Sequence, residues 1–163
     1  MNDVRLRPAT TGDLAAVAEV YLRARDAAYP AIPRGVHPPE EVREWVTSWD
    51  LSVTEVSLAH RGDRLLGYAR FSAEWLEDLY VDPAAQGEGV GSALLEMVKS
   101  RRATGFTLWV FESNEAARGF YRGHGLVEID RTDGAGNEER APDVKMAWRG
   151  ADRAPRPDRP PRS

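Results

Sequence analysis

Residues 76–92 read LEDLYVDPAAQGEGVGS, and the order of features in this stretch decides the fold. Leu76 to Val81 is an apolar run of strand length, and Asp82-Pro83 closes it. Residues 86–91 form a glycine loop, and a helix follows from about Ser92 with Leu94, Leu95 and Val98 turned inward. Gly87, Gly89 and Gly91 alternate, so the backbone can turn sharply and come close to a ligand without a Cβ in the way. A helix start adds unpaired N–H groups and the positive end of the dipole. A strand, a glycine turn and a helix N-terminus together make a phosphate cradle out of backbone alone.

Two common phosphate loops do not fit. A Walker loop ends in Gly-Lys-Ser/Thr, whereas here Lys99 lies far down the helix. In a dinucleotide fingerprint Gly87 and Gly89 would supply the first two glycines and Glu112 the ribose-binding acid. The third glycine position, however, is Ser92, and residues 82–86 separate the strand from the turn that should follow it directly.

Outward from this unit, the rest of the chain supplies a sheet and its helices. Residues 4–7 alternate as an opening strand, and Thr10 or Thr11 caps a helix with Asp13 in its first turn. Leu14, Val17, Ala18, Tyr21 and Leu22 form one apolar stripe, and Pro30 and Pro33 end it. A second helix opens at Pro38, with Val42, Trp45, Val46 and Trp49 on one face, where core packing is the expected role for both tryptophans. Residues 55–60 and 65–72 form a hairpin about Arg61-Gly62-Asp63. Residues 107–111 are a strand, 114–123 a helix, and 126–129 and 144–148 the last strands. The order β αα βββ αβα ββ predicts a single α/β domain with a mixed, mostly antiparallel sheet flanked by helices on both faces.

Composition bounds the chemistry. The chain has 163 residues, about one domain's worth. It has no cysteine, which excludes disulfides, Cys-based metal centres and a cysteine nucleophile. The three histidines, His37, His60 and His124, are far apart, so no metal is expected. A net charge of −4 argues against nucleic acid as a partner. The absence of a signal-like start and of a long apolar run points to a cytoplasmic protein that does not engage a membrane. Residues 151–163, ADRAPRPDRPPRS, read as a disordered Pro/Arg tail of charge +2 after a domain at 1–150 of charge −6.

With both halves of the pattern in view, the chain resembles the GCN5-related N-acetyltransferases (GNAT). Gln86-x-x-Gly89-x-Gly91 is similar to that family's Q/R-x-x-G-x-G/A signature. Leu79-Tyr80-Val81-Asp82-Pro83 looks like the strand that pairs with the pantetheine arm of acetyl-CoA. Asn114-x-x-Ala117-x-x-Phe120-Tyr121-x-x-x-Gly125 is similar to its second motif, and the resemblance covers about residues 4–148. It implies splayed strands around an acyl-CoA cleft, and acetyl transfer from acetyl-CoA, as co-substrate, to a primary amine of a small molecule or peptide by direct attack on the thioester.

The resemblance also implies site residues. Leu79, Tyr80, Val81, residues 86–92 (Gln86, Gly87, Glu88, Gly89, Val90, Gly91, Ser92), Asn114 and Arg118 would bind acetyl-CoA, Arg118 through the 3′-phosphate. Tyr121 would be the general acid at the leaving sulfur: a phenol pKa near 10 against a thiol near 8.5 makes proton transfer uphill by roughly 2 kcal/mol. A backbone N–H of Tyr80 or Val81 would hold the oxyanion. Glu77 is the candidate base, because strand alternation places it on one face with Leu79 and Val81, opposite Asp78 and Tyr80. Asn114 also suits a helix N-cap, and His124 a helix C-terminus. The polar loop 131–143 offers Glu138, Glu139 and Asp143 to a cationic acceptor or to a second subunit of a homodimer. Two alternatives stand beside the enzyme: a non-catalytic acyl-CoA-binding regulatory module, disfavoured by Tyr121, and an interaction domain without CoA binding, disfavoured by the intact Gln86, Gly89 and Gly91.

Overall fold

A computed structural model describes residues 3–150; the tail assigned to 151–163 lies outside the described residues. Strand β1 (Arg5–Pro8) leads to a single 3-10 turn at Thr11–Asp13, where Thr10 and Asp13 form a capping box. Helix α1 (Leu14–Ala28) and helix α2 (Pro39–Thr47) follow, the latter with Pro39 in its first turn. Strands β2 (Glu55–Arg61), β3 (Arg64–Phe71) and β4 (Leu76–Val81) run next. Helix α3 (Val90–Arg101) begins two residues earlier than the sequence pattern suggests, because Gly89 takes the left-handed conformation and caps it. Strand β5 (Phe106–Phe111), helix α4 (Glu115–Gly123), and strands β6 (Val127–Thr132) and β7 (Asp143–Trp148) complete the domain.

The predicted element order holds, and the sheet is divided. Strands β1-β2-β3-β4 form one antiparallel sheet and β5-β7-β6 another. A parallel bridge between Trp75 and Thr107 joins them at one end, backed by the Thr107 N–H donating to the Glu74 carbonyl at 2.9 Å. Beyond that bridge β4 and β5 part, and the edge of β4 faces a gap.

Helices cover both faces. On one face α1 and α2 bury Leu14, Val17, Val20, Val46 and Trp49 against Val56, Leu58 and Tyr68. On the other, Leu94, Leu95 and Val98 of α3 pack with Leu66, Phe71, Leu108, Leu126 and Met146, joining the two sheets in one core. Strand β3 is buried on both sides, which explains its near-continuous apolar run. Gly67 is required there, since a Cβ would lie 2.7 Å from the Tyr80 carbonyl oxygen. Trp45 departs from the expected core face. It is 45% exposed, set edge-on to Tyr21 and Trp49, with the Arg70 guanidinium 5.3 Å from its ring.

Candidate active site

A cavity of about 700 Å³ opens where β4 and β5 separate. Five segments meet around it. The end of β4 contributes Leu79, Tyr80 and Val81, and the glycine loop contributes Gln86, Gly87 and Gly89. The start of α3 contributes Val90, Gly91 and Ser92, and the start of α4 contributes Asn114, Ala117, Phe120 and Tyr121. The alanine side of α1 closes the wall with Ala24, Ala27 and Ala28.

The loop has the shape of a cradle. Gly87 and Gly89 have φ near +81° and +82°, and nothing lies within 4 Å of where their Cβ atoms would stand. The space above them is open to an incoming group, and the first N–H groups of α3 have no intrahelical acceptor. Ser92 Oγ meets His124 Nε2 at 3.1 Å, tying the start of α3 to the end of α4. His124 caps α4, its N–H donating to Phe120 and Tyr121 carbonyls. Asn114 caps the other end, accepting from the Ala117 N–H at 3.3 Å, and still lines the cavity.

Tyr121 is buried in this wall, and its hydroxyl has no hydrogen-bond partner among the described residues. Burial raises its pKa, and the nearby charge of Asp78 raises it further. The hydroxyl is therefore a donor throughout the neutral range. Strand polarity selects the backbone donor. The Asp82 N–H bonds the Leu66 carbonyl of β3 at 2.7 Å, so even-numbered N–H groups, Tyr80 included, point toward β3. The N–H groups of Leu79 and Val81 point the other way, into the gap. Of the two amides named from the sequence, Val81 faces the cavity and Tyr80 does not.

Three sequence-derived site residues fall elsewhere. Glu77 is exposed and is not among the residues lining the cavity. Leu76 pairs with Phe71 and Asp78 with Arg70, so Glu77 is the extra residue of a β-bulge. The bulge breaks the alternation that had put Glu77 beside Leu79 and Val81; Leu76, Leu79 and Val81 share the inner side instead. Arg118 is committed to Glu128, with Nε and Nη2 at 2.9 and 2.8 Å from one carboxylate oxygen, and to the Glu112 carbonyl at 3.0 Å. The Glu88 side chain turns to Arg61 at 2.8 Å, because only the flanking glycines face the cavity.

Sequence reasoning missed a polar layer behind β4. Asp78 lies against Arg70 (Nε to Oδ2, 2.9 Å) and Tyr68 (hydroxyl to Oδ2, 3.4 Å). Burial pushes its carboxyl up, against the pull of the Arg70 charge. Tyr80 is raised by burial as well, although the Arg25 charge opposes this. The Tyr80 hydroxyl accepts from Arg25 Nη1 at 3.4 Å, and the Tyr80 and Tyr21 rings meet edge-on at 5.4 Å. A second cavity of about 480 Å³ lies beyond this layer, lined by Tyr21, Arg25, Arg34, His37, Glu138 and Glu139 among others. The alternating polar and apolar positions of α1 were the available signal: Ala24 and Ala28 face one cavity, Arg25 and Tyr29 the other. The loop is also shorter than expected, because β6 runs to Thr132 and β7 begins at Asp143. Among the described residues no group of three or more His, Asp or Glu could hold a metal ion, and no helix is long and apolar enough to cross a membrane.

The cleft between the parted strands is thus closed by a glycine loop at one end and by a tyrosine-bearing helix along its side. Residues 52–128 match the model of the acetyltransferase (GNAT) domain. It is similar to the peptidyl-lysine N-acetyltransferase YjaB of Escherichia coli strain K12, at 33% identity over 89 residues, 55% of this chain and 60% of that one. The YjaB of Salmonella typhimurium strain LT2 is 32% identical over 71 residues, 44% of this chain and 48% of that one. The chain thus matches about half to three fifths of the length of these curated relatives. The solution structure of apo YjaB from Escherichia coli superposes with a TM-score of 0.73 at 26% identity, covering 91% of this chain and 99% of that one.

Proposed function

We propose that the protein is an acetyl-CoA-dependent N-acetyltransferase that acetylates a primary amine of a small molecule or peptide. The observation that carries this reading is the Tyr121 hydroxyl: protonated, without a hydrogen-bond partner among the described residues, on a buried residue that lines the same cavity as the glycine cradle. The positive-φ glycines fit a pyrophosphate, since their missing side chains leave the loop backbone open to it. Gln86, Gly87, Gly89, Val90, Gly91 and Ser92 would hold that end of acetyl-CoA, and Leu79, Val81 and Asn114 its arm. When bound, acetyl-CoA would supply a thioester whose acetyl carbon an uncharged amine attacks, forming an N–C bond and releasing the thiol.

The chain's own residues then have defined tasks. The Val81 N–H, directed into the gap, stabilises charge on the carbonyl oxygen. Tyr121 donates a hydrogen bond to the sulfur. Because burial lifts its pKa above the ordinary value, full proton transfer is more uphill than the roughly 2 kcal/mol of an ordinary phenol–thiol pair. Its contribution is therefore mainly the hydrogen bond. Glu77, exposed on its bulge, is not positioned as a base, so the amine reaches the cleft in its small uncharged fraction. The acceptor would enter from the side of the second cavity, past Tyr80. A cytoplasmic setting, without nucleic-acid or membrane partners, is part of the same reading, as is a homodimer.

The test is release of free thiol from acetyl-CoA with a panel of primary amines. Turnover with any amine supports the enzyme. Acetyl-CoA binding without turnover of any amine would favour a regulatory acyl-CoA-binding module.

A further inference from the structure

Four arginines line the second cavity, and two of them are tightly paired: Arg23 reaches Asp82 at 2.6 Å and Arg43 reaches Glu19 at 2.8 Å. Arg25 is different. Its side chain is only 17% exposed, yet it meets the Glu139 carboxylate at 3.7 Å and the Tyr80 hydroxyl at 3.4 Å. Both separations are beyond a good charge-assisted hydrogen bond, so the five-donor guanidinium keeps donors that no protein acceptor holds closely. The two sides of the contact also differ in how they are held. Arg25 is fixed on α1, with its guanidinium carbon 5.3 Å from the centre of the Tyr21 ring. Glu139 comes from the β6–β7 loop, whose displacement would disturb no core element.

The surrounding cavity favours an anion at this point. A further lining cation, Arg34, stacks 4.3 Å over the Tyr29 ring and pairs with no carboxylate among the described residues. Of the lining carboxylates, Glu19 is taken by Arg43 and Glu138 by His37; Asp26 is the remaining one. Tyr80 lines the large cavity and its hydroxyl accepts from Arg25, which lines the small one, so a group on Arg25 is one side chain away from the cleft.

We propose that Arg25 anchors a carboxylate on the acceptor, so that the acceptor is an amine that also carries a carboxylate, and that Glu139 holds the anion position until the acceptor displaces it. This rests on the acetyltransferase reading of the neighbouring cleft. The carboxylate belongs either to a free amino acid or to a peptide with a C-terminal lysine; both present an amine and a carboxylate on one flexible unit.

Matched acceptors test it by thiol release. L-lysine is compared with cadaverine, L-methionine with 3-(methylthio)propylamine, and N-acetyl-glycyl-lysine with its C-terminal amide. In the wild type, the acid of at least one pair should exceed its partner in kcat/KM by on the order of 10–100-fold, the value of a charge-assisted contact. The lysine–cadaverine or methionine pair identifies a free amino acid, and the dipeptide pair a peptide. Arg25→Gln should bring that ratio to about one, and Arg25→Lys should keep part of it. Glu139→Gln should lower KM for the acid with kcat held, an effect that a purely structural ion pair would not produce. Thermal melting with acetyl-CoA checks the donor site in every variant. A wild-type ratio near one in all pairs, or a ratio unchanged by Arg25→Gln, overturns the anchor while leaving the enzyme standing. So does failure of every acid to react when acetyl-CoA still raises the melting temperature. Failure of acetyl-CoA to stabilise the wild type overturns both readings.

Discussion

The Tyr121 hydroxyl has no acceptor among the described residues, and the raised pKa limits what it can give. A donor that hydrogen-bonds without surrendering its proton belongs at the low end of general-acid effects. Tyr121→Phe should accordingly lower kcat by about 10–100-fold with little change in acetyl-CoA affinity. The loss should be flat from pH 6 to 9, because a phenol raised above its ordinary value stays protonated across that range. Steady-state kinetics over pH check both statements, and a kcat equal to wild type would reduce Tyr121 to packing beside Phe120. At Gly89 the issue is space and sign. A side chain there would be strained at φ +82° and would project into the open cradle. Gly89→Asp should abolish acetyl-CoA binding in calorimetry, and unchanged affinity in a folded variant would remove the cradle assignment. These two residues could be read in the sequence because their surroundings are local: a glycine run before a helix, and a tyrosine seven residues after an asparagine cap. Glu77 and Arg118 could not be read the same way. One is displaced by a bulge that depends on its pairing with β3, the other is captured by Glu128 across a turn into β6.

At the scale of elements, the β6–β7 connection shows how a loop can be built to present charge. The Asn137 side chain donates to the Ala141 carbonyl at 2.7 Å and accepts from the Ala141 N–H at 3.2 Å, closing residues 138–140 into a small arch. The arch sends Glu139 to Arg25 on α1 and Glu138 to His37 before α2. His37 is held on both sides, Nδ1 to Glu41 at 3.0 Å and Nε2 to Glu138 at 3.3 Å. Its pKa is raised, chiefly by the Glu41 hydrogen bond and then by Glu138. Only the imidazolium donates from both nitrogens. The clip is therefore complete below the ordinary histidine pKa of about 6.5 and is lost as pH rises through the raised folded value. Trypsin cleavage at Arg140, normalised to an unstructured peptide at each pH, should accelerate on going from pH 6 to 8.5 in the wild type. His37→Gln should be cleaved faster than wild type at pH 6 and at the same rate at pH 8.5. A pH-independent difference between the two would mean that His37 acts by packing and not by charge. The sequence offered the charges of this loop as candidates for a cation, whereas the structure sets them on His37 and Arg25, partners that lie about a hundred residues away in the chain and leave no local pattern.

For the whole molecule, the decisive feature is that two antiparallel sheets share a core yet touch edge to edge at the Trp75–Thr107 bridge. The element order and the two helical faces follow from periodicity and turn residues, and both were legible. The parting of the sheet was expected only through the family resemblance and not from periodicity, because it depends on β7 pairing between β5 and β6, with Leu108 opposite Met146. A ligand lying in the gap would touch β4, the loop, α3 and α4 at once, so its binding energy adds to the folding stability of all four. Binding to the native state alone stabilises by about 2.7 kcal/mol at a ligand concentration 100 times Kd. For a domain of about 150 residues, each kcal/mol moves the melting temperature by roughly 2–4 °C. Saturating acetyl-CoA should thus raise the melting temperature by about 5–10 °C, with CoA itself giving a large part of the shift because the pyrophosphate and arm contacts are common to both. Gly89→Asp should melt with no ligand-dependent shift, and Tyr121→Phe should keep nearly all of it, because the phenol acts at the sulfur and not on the bulk of the ligand. Differential scanning calorimetry of the three proteins, each with and without ligand, separates the cases. A shift in Gly89→Asp equal to that of the wild type would place the ligand outside the gap, and no shift in the wild type would mean that the cleft does not bind it.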